Sequence, residues 1–412
     1  MDQLEMPFGH CSSKVSPTDK IIWILFCATS LQLAFLQPSV VLIPGERSNL
    51  FSGLLCALTL GCACFFAKKG AIDKRSPEVL ISLALALLVF LSGLFSVTPA
   101  SSSARGFVVL ASGLGGFWCA RILLASESRQ GVFLQLSLIM LAGILLASLI
   151  SYFYWGDVIR FIDSNPHPLA CRILILWFAP LALLLGKSGR AKIVAVLLLS
   201  SSYLVFYLSG LRSAVLIPLI LCLLAVLFGA LRFKHLILIF IPILLISPYF
   251  IYHLPQDKIG KEFEPAYYRV ENYPFSWHIA LKHPILGIGL RAPRVEFLKD
   301  YEIKYPYVTR EDFVDSVTRL RTSDNVFLTF MAELGFPFLI LYLFSLVILF
   351  TRLVRKIAKP SPRFLPPLAL FLPLIAALLY FQVMDGLLMP QLCWFFHILL
   401  GLIPPQGTAT QV

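Results

Sequence analysis

Apolar runs of eighteen to twenty-six residues recur along this chain and constrain its fold more than any other feature. A helix of about twenty apolar residues crosses a bilayer core of about 30 Å. Twelve such runs are read at about 21–43, 50–67, 79–98, 105–124, 131–153, 169–186, 192–209, 213–231, 236–253, 326–351, 364–382 and 386–403. Charged residues make up only 14% of the chain and hydrophobic ones 58%, whereas a soluble domain carries about 25% charge. This excludes a soluble globular protein. The expected fold is an all-α polytopic membrane protein of about twelve transmembrane helices.

The net charge of +12 does not point to nucleic acid, because its distribution follows membrane topology. Basic residues fall in alternate short connections: Lys68, Lys69, Lys74 and Arg75; Arg121 and Arg129; Lys187, Arg190 and Lys192; Arg232 and Lys234; Arg352, Arg355, Lys356, Lys359 and Arg363. This is the positive-inside pattern. It predicts cytoplasmic N- and C-termini and outward-facing segments at 44–49, 99–104, 154–168, 210–212, 254–325 and 383–385. The polar start, Met1 to Lys20, lacks the basic-then-apolar order of a cleaved signal. Most of the nine cysteines lie in apolar runs, where cysteine acts as a small hydrophobe. Cys62-x-Cys64 lacks partners at zinc spacing, so neither a metal nor a cofactor is expected.

One stretch breaks the apolar rhythm. From His253 to Asn325 the chain is polar, and a site for polar substrates is expected where this segment meets the helix ends. Phe275, Ile279 and the Trp277/Leu281 pair have helical spacing, predicting a short amphipathic helix over 275–283 near the membrane surface. Gly287-x-Gly289 lacks the context of a dinucleotide fingerprint and reads as a tight turn. A second outward segment, Asp157 to Pro168, carries Arg160, Asp163, Asn165 and His167. These residues either serve a site or simply cap the next helix. Arg172, one turn inside that helix, is an intramembrane charge and so a functional candidate, or it snorkels outward. In the turn Ser209-Gly-Leu-Arg212-Ser213, Arg212 either grips phosphate through its planar fork or anchors the helix end among headgroups. Asp324 opens the tenth span. It either engages a substrate hydroxyl or, with Asn325, caps the helix. Glu333, about 13 Å further along that helix, is expected to pair inside the bundle, with Arg172 as the candidate partner.

On these residues the chain resembles the O-antigen ligase and polymerase family of bacterial cell-envelope glycosyltransferases. The resemblance rests on the Arg160–Pro168 loop, the Ser-Gly-Leu-Arg212-Ser turn, the Trp277…His-Pro-Ile-Leu-Gly-Ile-Gly289 stretch and the Asp324-Asn325…Glu333-Leu-Gly335 run. It covers most of 130–350. It implies a bacterial inner-membrane enzyme with one large periplasmic loop, 254–325, containing short amphipathic helices. Its donor would be a glycan on undecaprenyl diphosphate, and its acceptor a lipid A core or a second lipid-linked glycan. Arg160, Arg212 and Arg269 would hold the diphosphate. Asp324 and Arg212 would be catalytic, with Asn325, His167, Arg172 and Trp277 supporting. Asp324 stands where the family usually has histidine. Arg269 lies further upstream of Trp277 than the family's loop arginine.

The expected organisation is N-terminal helices over 1–130, a ligase- or polymerase-like core over 131–351 and a C-terminal hairpin over 352–412. Membrane lipid is an expected partner and nucleic acid is not. The alternative functions are a transporter of small anions or a non-catalytic relative of the family. A transporter would bring polar residues to mid-membrane on broken or repeated helices, whereas here they gather outside the spans.

Overall fold

The computed structural model describes residues 17–35, 46–65, 76–156, 166–186, 189–227, 264–305, 308–320, 323–358 and 365–405. Among them the fold is all-helical, without strands. The helices are α1 (Pro17–Phe35), α2 (Glu46–Phe65), α3 (Pro77–Leu94), α4 (Pro99–Leu123), α5 (Glu127–Trp155), α6 (Pro166–Leu176), α7 (Phe178–Leu185), α8 (Gly189–Leu208) and α9 (Arg212–Leu227). They continue with α10 (Glu264–Lys282), α11 (Arg310–Leu320), α12 (Val326–Ala358), α13 (Pro367–Tyr380) and α14 (Pro390–Gly401).

Seven helical stretches are long and apolar enough to cross a membrane, with α6 and α7 forming one stretch, and three further apolar helices are shorter. The chain is a membrane protein. Helices occupy eleven of the twelve expected runs; the run at 236–253 lies outside the described residues. Within the run at 386–403 a short 3-10 turn, Gly386–Leu388, precedes α14.

Helix α4 is central and packs against α2, α3 and α14. Its small residues Gly115 and Gly116 lie against Trp394 of α14, allowing the close helix approach that drives packing in lipid. Trp394 is fully buried and donates to Ser30 Oγ of α1 at 3.2 Å.

Polar contacts sort the helix ends into two faces. At one face Glu78 of α3 pairs with Arg352 of α12, and Arg121 of α4 lies 3.9 Å from the same carboxylate. At the other, Ser96 beyond α3 donates to Ile288 O at 2.8 Å, and Ser102 of α4 donates to Leu290 O at 3.2 Å. The polar segment therefore sits over the second face, called here the loop face.

That segment has its own core. Phe275 and Ile279 of α10 pack with Ile288, Leu298, Tyr301, Phe313 and Val317. Trp277 and Leu281, read from the sequence as part of the same apolar face, point the other way and are about half exposed. Trp277 meets Phe336 of α12 edge-on, its ring centroid 5.7 Å away. Helix α10 thus has two apolar faces, one turned to the segment's core and one outward beside a membrane helix. The carboxylate of Glu271 fixes the following loop. It accepts from Tyr301 Oη at 2.5 Å, Lys304 N at 3.0 Å and Tyr305 N at 2.9 Å. Burial, then the adjacent Glu271, pushes the Tyr301 phenol upward from its ordinary pKa.

Candidate active site

The site begins with a break in α12. Gly335 has φ 83° and ψ 169°, a conformation open only to glycine, and Pro337 follows two residues later. Proline has no N–H, so Glu333 O loses its intrahelical donor. The kink likewise separates Phe336 N from Ala332 O. In lipid such groups must find other partners, and the polar segment supplies them. Ile288 N donates to Ala332 O at 3.1 Å and Gly289 N to Glu333 O at 2.9 Å. Phe336 N donates to Pro284 O at 2.9 Å, and Ser92 Oγ of α3 donates to Glu333 O at 3.0 Å.

Gly287 has φ 62° and Gly289 φ 95°, so the expected tight turn is present. A Cβ on Gly287 would land on the Glu333 backbone, and one on Gly335 would land on the Ile285 backbone. The Gly-x-Gly and Glu-Leu-Gly motifs are therefore two halves of one interlock.

The Glu333 side chain continues this docking. One oxygen accepts from Arg294 Nη2 at 2.7 Å and the other from Arg291 N at 2.7 Å. Arg294 and Glu333 are both buried. Arg294 Nη1 also donates to Ser276 Oγ at 3.0 Å and Ser323 Oγ at 2.8 Å. The expected partnership of Glu333 with Arg172 is not what forms. Arg172 is buried in α6 and donates through Nη1 to Ala34 O of α1 at 2.7 Å, tying two membrane helices together. The segment reaches Glu333 because the kinked helix lets it descend there.

Ser323 leads directly to the start of α12. Asn325 Oδ1 accepts from Phe327 N at 3.1 Å and Leu328 N at 3.2 Å, so Asn325 is the N-cap. Of the two roles read for Asp324, the cap belongs to its neighbour. Asp324 is half-buried with φ 52°, in the left-handed region that aspartate tolerates better than most residues. Its N–H donates to Asp385 Oδ2 at 3.2 Å. Asp385 is buried in the turn between α13 and α14 and accepts from Thr329 Oγ1 at 2.6 Å.

This turn is a hub. Phe381 O accepts from Val326 N at 3.0 Å, and Gln382 O accepts from Tyr273 Oη of α10 at 3.0 Å. Gln382 Oε1 accepts from Asn325 Nδ2 at 3.0 Å. His167 Nδ1 lies 3.0 Å from Tyr380 Oη. The N-termini of α6 and α12, the end of α13 and the polar segment therefore meet at one place. It contains three of the residues singled out in the sequence: Asp324, Asn325 and His167.

The other candidates are distributed as follows. Arg172 lies deeper in the bundle, and Trp277 faces outward on α10. Arg212 opens α9, and α9 packs against α6 and α13. Arg269 lies within α10. The described structure covers the backbone but not the side chain of these two arginines, and Arg160 lies outside the described residues.

Sequence reasoning missed Asp385 and Arg294. Asp385 had a usable signal, being an acidic residue in an otherwise apolar hairpin. Arg294 had none, because an arginine in a polar loop is ordinary until the loop is seen to fold onto Glu333.

Residues 174–343 match the family described as O-antigen ligase. The match places this stretch, from inside α6 through the kink of α12, in the O-antigen ligase and polymerase family. No curated protein matches the chain. In general terms the family supports a glycosyltransferase-like ligase or polymerase function, with a lipid-linked glycan and an acceptor as partners.

Proposed function

We propose that this protein transfers a glycan from undecaprenyl diphosphate to a sugar hydroxyl at the periplasmic face of the bacterial inner membrane. The loop face is then periplasmic and both termini cytoplasmic. The acceptor is a lipid A core or a second lipid-linked glycan, and the catalytic core spans 131–351. The acceptor hydroxyl attacks the anomeric carbon. The new C–O bond forms as the bond to the diphosphate breaks, and the hydroxyl proton passes to Asp324. Arg160, Arg212 and Arg269 neutralise the departing diphosphate, so neither a leaving-group acid nor a metal is required.

The observation that supports this reading most is the position of Asp324. It is half-buried, relieved of capping by Asn325, and held over buried Asp385 where helix ends and the polar segment converge. The N-terminal ends of α6 and α12 at the same place favour an anion nearby. The small-anion transporter has less support, because this convergence lies at helix ends rather than at the middle of the spans.

Arg212→Lys tests the proposal in purified protein supplied with lipid-linked glycan and acceptor. Lysine keeps the charge but loses the planar fork, so transfer should fall about tenfold or more while membrane insertion stays normal. Wild-type transfer should persist in EDTA. Full transfer by the lysine variant would remove Arg212 from diphosphate binding. Loss of wild-type transfer in EDTA, restored by a divalent cation, would overturn the metal-free mechanism.

A further inference from the structure

A cavity of about 260 Å³ opens at the loop face beside the convergence just described. Its walls include Arg105 from the early turns of α4, Arg291 from the polar segment, Asn49 at the start of α2 and Ser101 at the start of α4. Leu50 and Leu388 are among the aliphatic residues that complete it. Both charged residues lining the cavity are arginines.

Arg291 is held there by unusual means. Its backbone has φ 52°, a left-handed conformation that arginine seldom adopts. Its N–H is fixed by the buried carboxylate of Glu333 at 2.7 Å. The ion pair with Arg294 anchors that carboxylate in turn. A strained backbone persists only where its surroundings enforce it, and such places cluster at ligand clamps. On the opposite wall, Ser102 of α4 donates to Leu290 O, and Ser96, in the turn between α3 and α4, donates to Ile288 O. Both arginine-bearing walls are therefore fixed relative to each other.

We propose that this cavity binds the phosphate of a lipid. The headgroup phosphate lies between Arg105 and Arg291, with Asn49 and Ser101 as further hydrogen-bonding groups. The chains leave over Leu50, which is 39% exposed on α2. Three features select a lipid over a free anion. Arg105 lies in the first turns of a membrane-length helix, at its loop-face end, and Arg291 comes from the segment lying over that end. The wall between them is aliphatic. The rim leucine faces the side of the bundle. Most of the cavity is built from 49–109, outside the stretch matched to the ligase family, and its occupancy does not depend on glycan transfer.

Native mass spectrometry of the full detergent-solubilised chain tests this, using dioleoyl phosphatidic acid, dioleoylglycerol and inorganic phosphate as probes. One saturable phosphatidic acid should bind. Arg105→Gln and Arg291→Asn, the latter chosen because asparagine tolerates the left-handed backbone, should each weaken it about tenfold, the effect of losing one charged hydrogen bond. Ser101→Trp keeps both arginines and blocks the mouth, so it should also weaken binding without lowering the melting temperature. Phosphatidic acid binding that is indifferent to all three variants would overturn the site. Equal binding of dioleoylglycerol would reduce it to an apolar crevice. Inorganic phosphate displacing the lipid at equal concentration would make it a free-anion site and refute the lipid assignment.

Discussion

Arg294 and Glu333 form a fully buried ion pair, 2.7 Å between Nη2 and Oε1, that joins the polar segment to the interior of a membrane helix. Two charges out of water are costly unless each is hydrogen-bonded throughout. Here Ser276 and Ser323 take Arg294 Nη1 and the Arg291 amide takes the second Glu333 oxygen, while Arg294 Nε has no partner among the described residues. The pair is thus a clasp between two parts of the chain that the kink at Gly335 brings to the same depth.

Removing one partner should be worse than removing both. Arg294→Met or Glu333→Leu alone leaves an uncompensated buried charge, worth about 3–5 kcal/mol. The double variant should recover much of that loss. Thermal unfolding in one detergent, compared across the four proteins, reads this directly. Additive losses in the double variant would mean that the two side chains are not coupled.

The interlock at the kink makes a sharper demand. Gly335→Ala and Gly287→Ala each place a Cβ against backbone at a positive φ, so nothing flexible can give way. Each should destabilise the protein by more than the ~0.5 kcal/mol typical of surface substitutions and expose the segment to protease. Gly189→Ala, in open space at the start of α8, is the control and should leave proteolysis unchanged. Resistance of the Gly335 variant equal to wild type would show that the helix does not need its break.

Much of this organisation is legible in the sequence, and the physical reason is period and length. Long apolar runs report helices in lipid whatever their neighbours, and eleven of the twelve runs coincide with helices. Gly287 and Gly289 also report their turn locally. What the sequence conceals is pairing across distance. Glu333 looks like a charge in search of a partner inside the bundle. Only the kink at Gly335 and the descent of 284–294 show that its partner comes from the polar segment. Asp324 and Asn325 look interchangeable as caps until the hydrogen bonds to Phe327 and Leu328 assign the cap to Asn325. Trp277 and Phe275 share a helical period, yet they serve opposite faces of α10.

The proposed orientation has its own test. The basic short loops predict that the loop face is outside, which puts Lys304 in the periplasm and Arg190 in the cytoplasm. Alkaline phosphatase fused at Lys304 should be active, and at Arg190 silent. The reverse pattern would move the loop face to the cytoplasm and end the proposal of periplasmic transfer.

The decisive residue for the chemistry is Asp324. Because Asn325 caps α12, changing Asp324 to asparagine or alanine should leave the helix start intact, whereas Asn325→Ala should cost about 1 kcal/mol. The contact seen from Asp324 to Asp385 runs through its backbone N–H, which both substitutions preserve. If the Asp324 carboxylate takes the acceptor's proton, both variants should lose transfer by about 10²–10⁴-fold, the asparagine variant at wild-type melting temperature because asparagine tolerates the left-handed backbone at this position and alanine does not. Asp324→His, restoring the residue the family usually carries, should recover part of it. Asp385→Asn separates support from chemistry. Its single amide oxygen can replace only one of the two carboxylate oxygens that accept from Thr329 Oγ1 and the Asp324 N–H, which weakens the support but leaves the Asp324 carboxylate in place, so it should retain more transfer than either Asp324 variant. Near-wild-type transfer by Asp324→Ala would eliminate this carboxylate as the base. An Asp385→Asn variant as inactive as Asp324→Ala, with unchanged melting, would shift the proton-accepting role to the buried carboxylate beneath it.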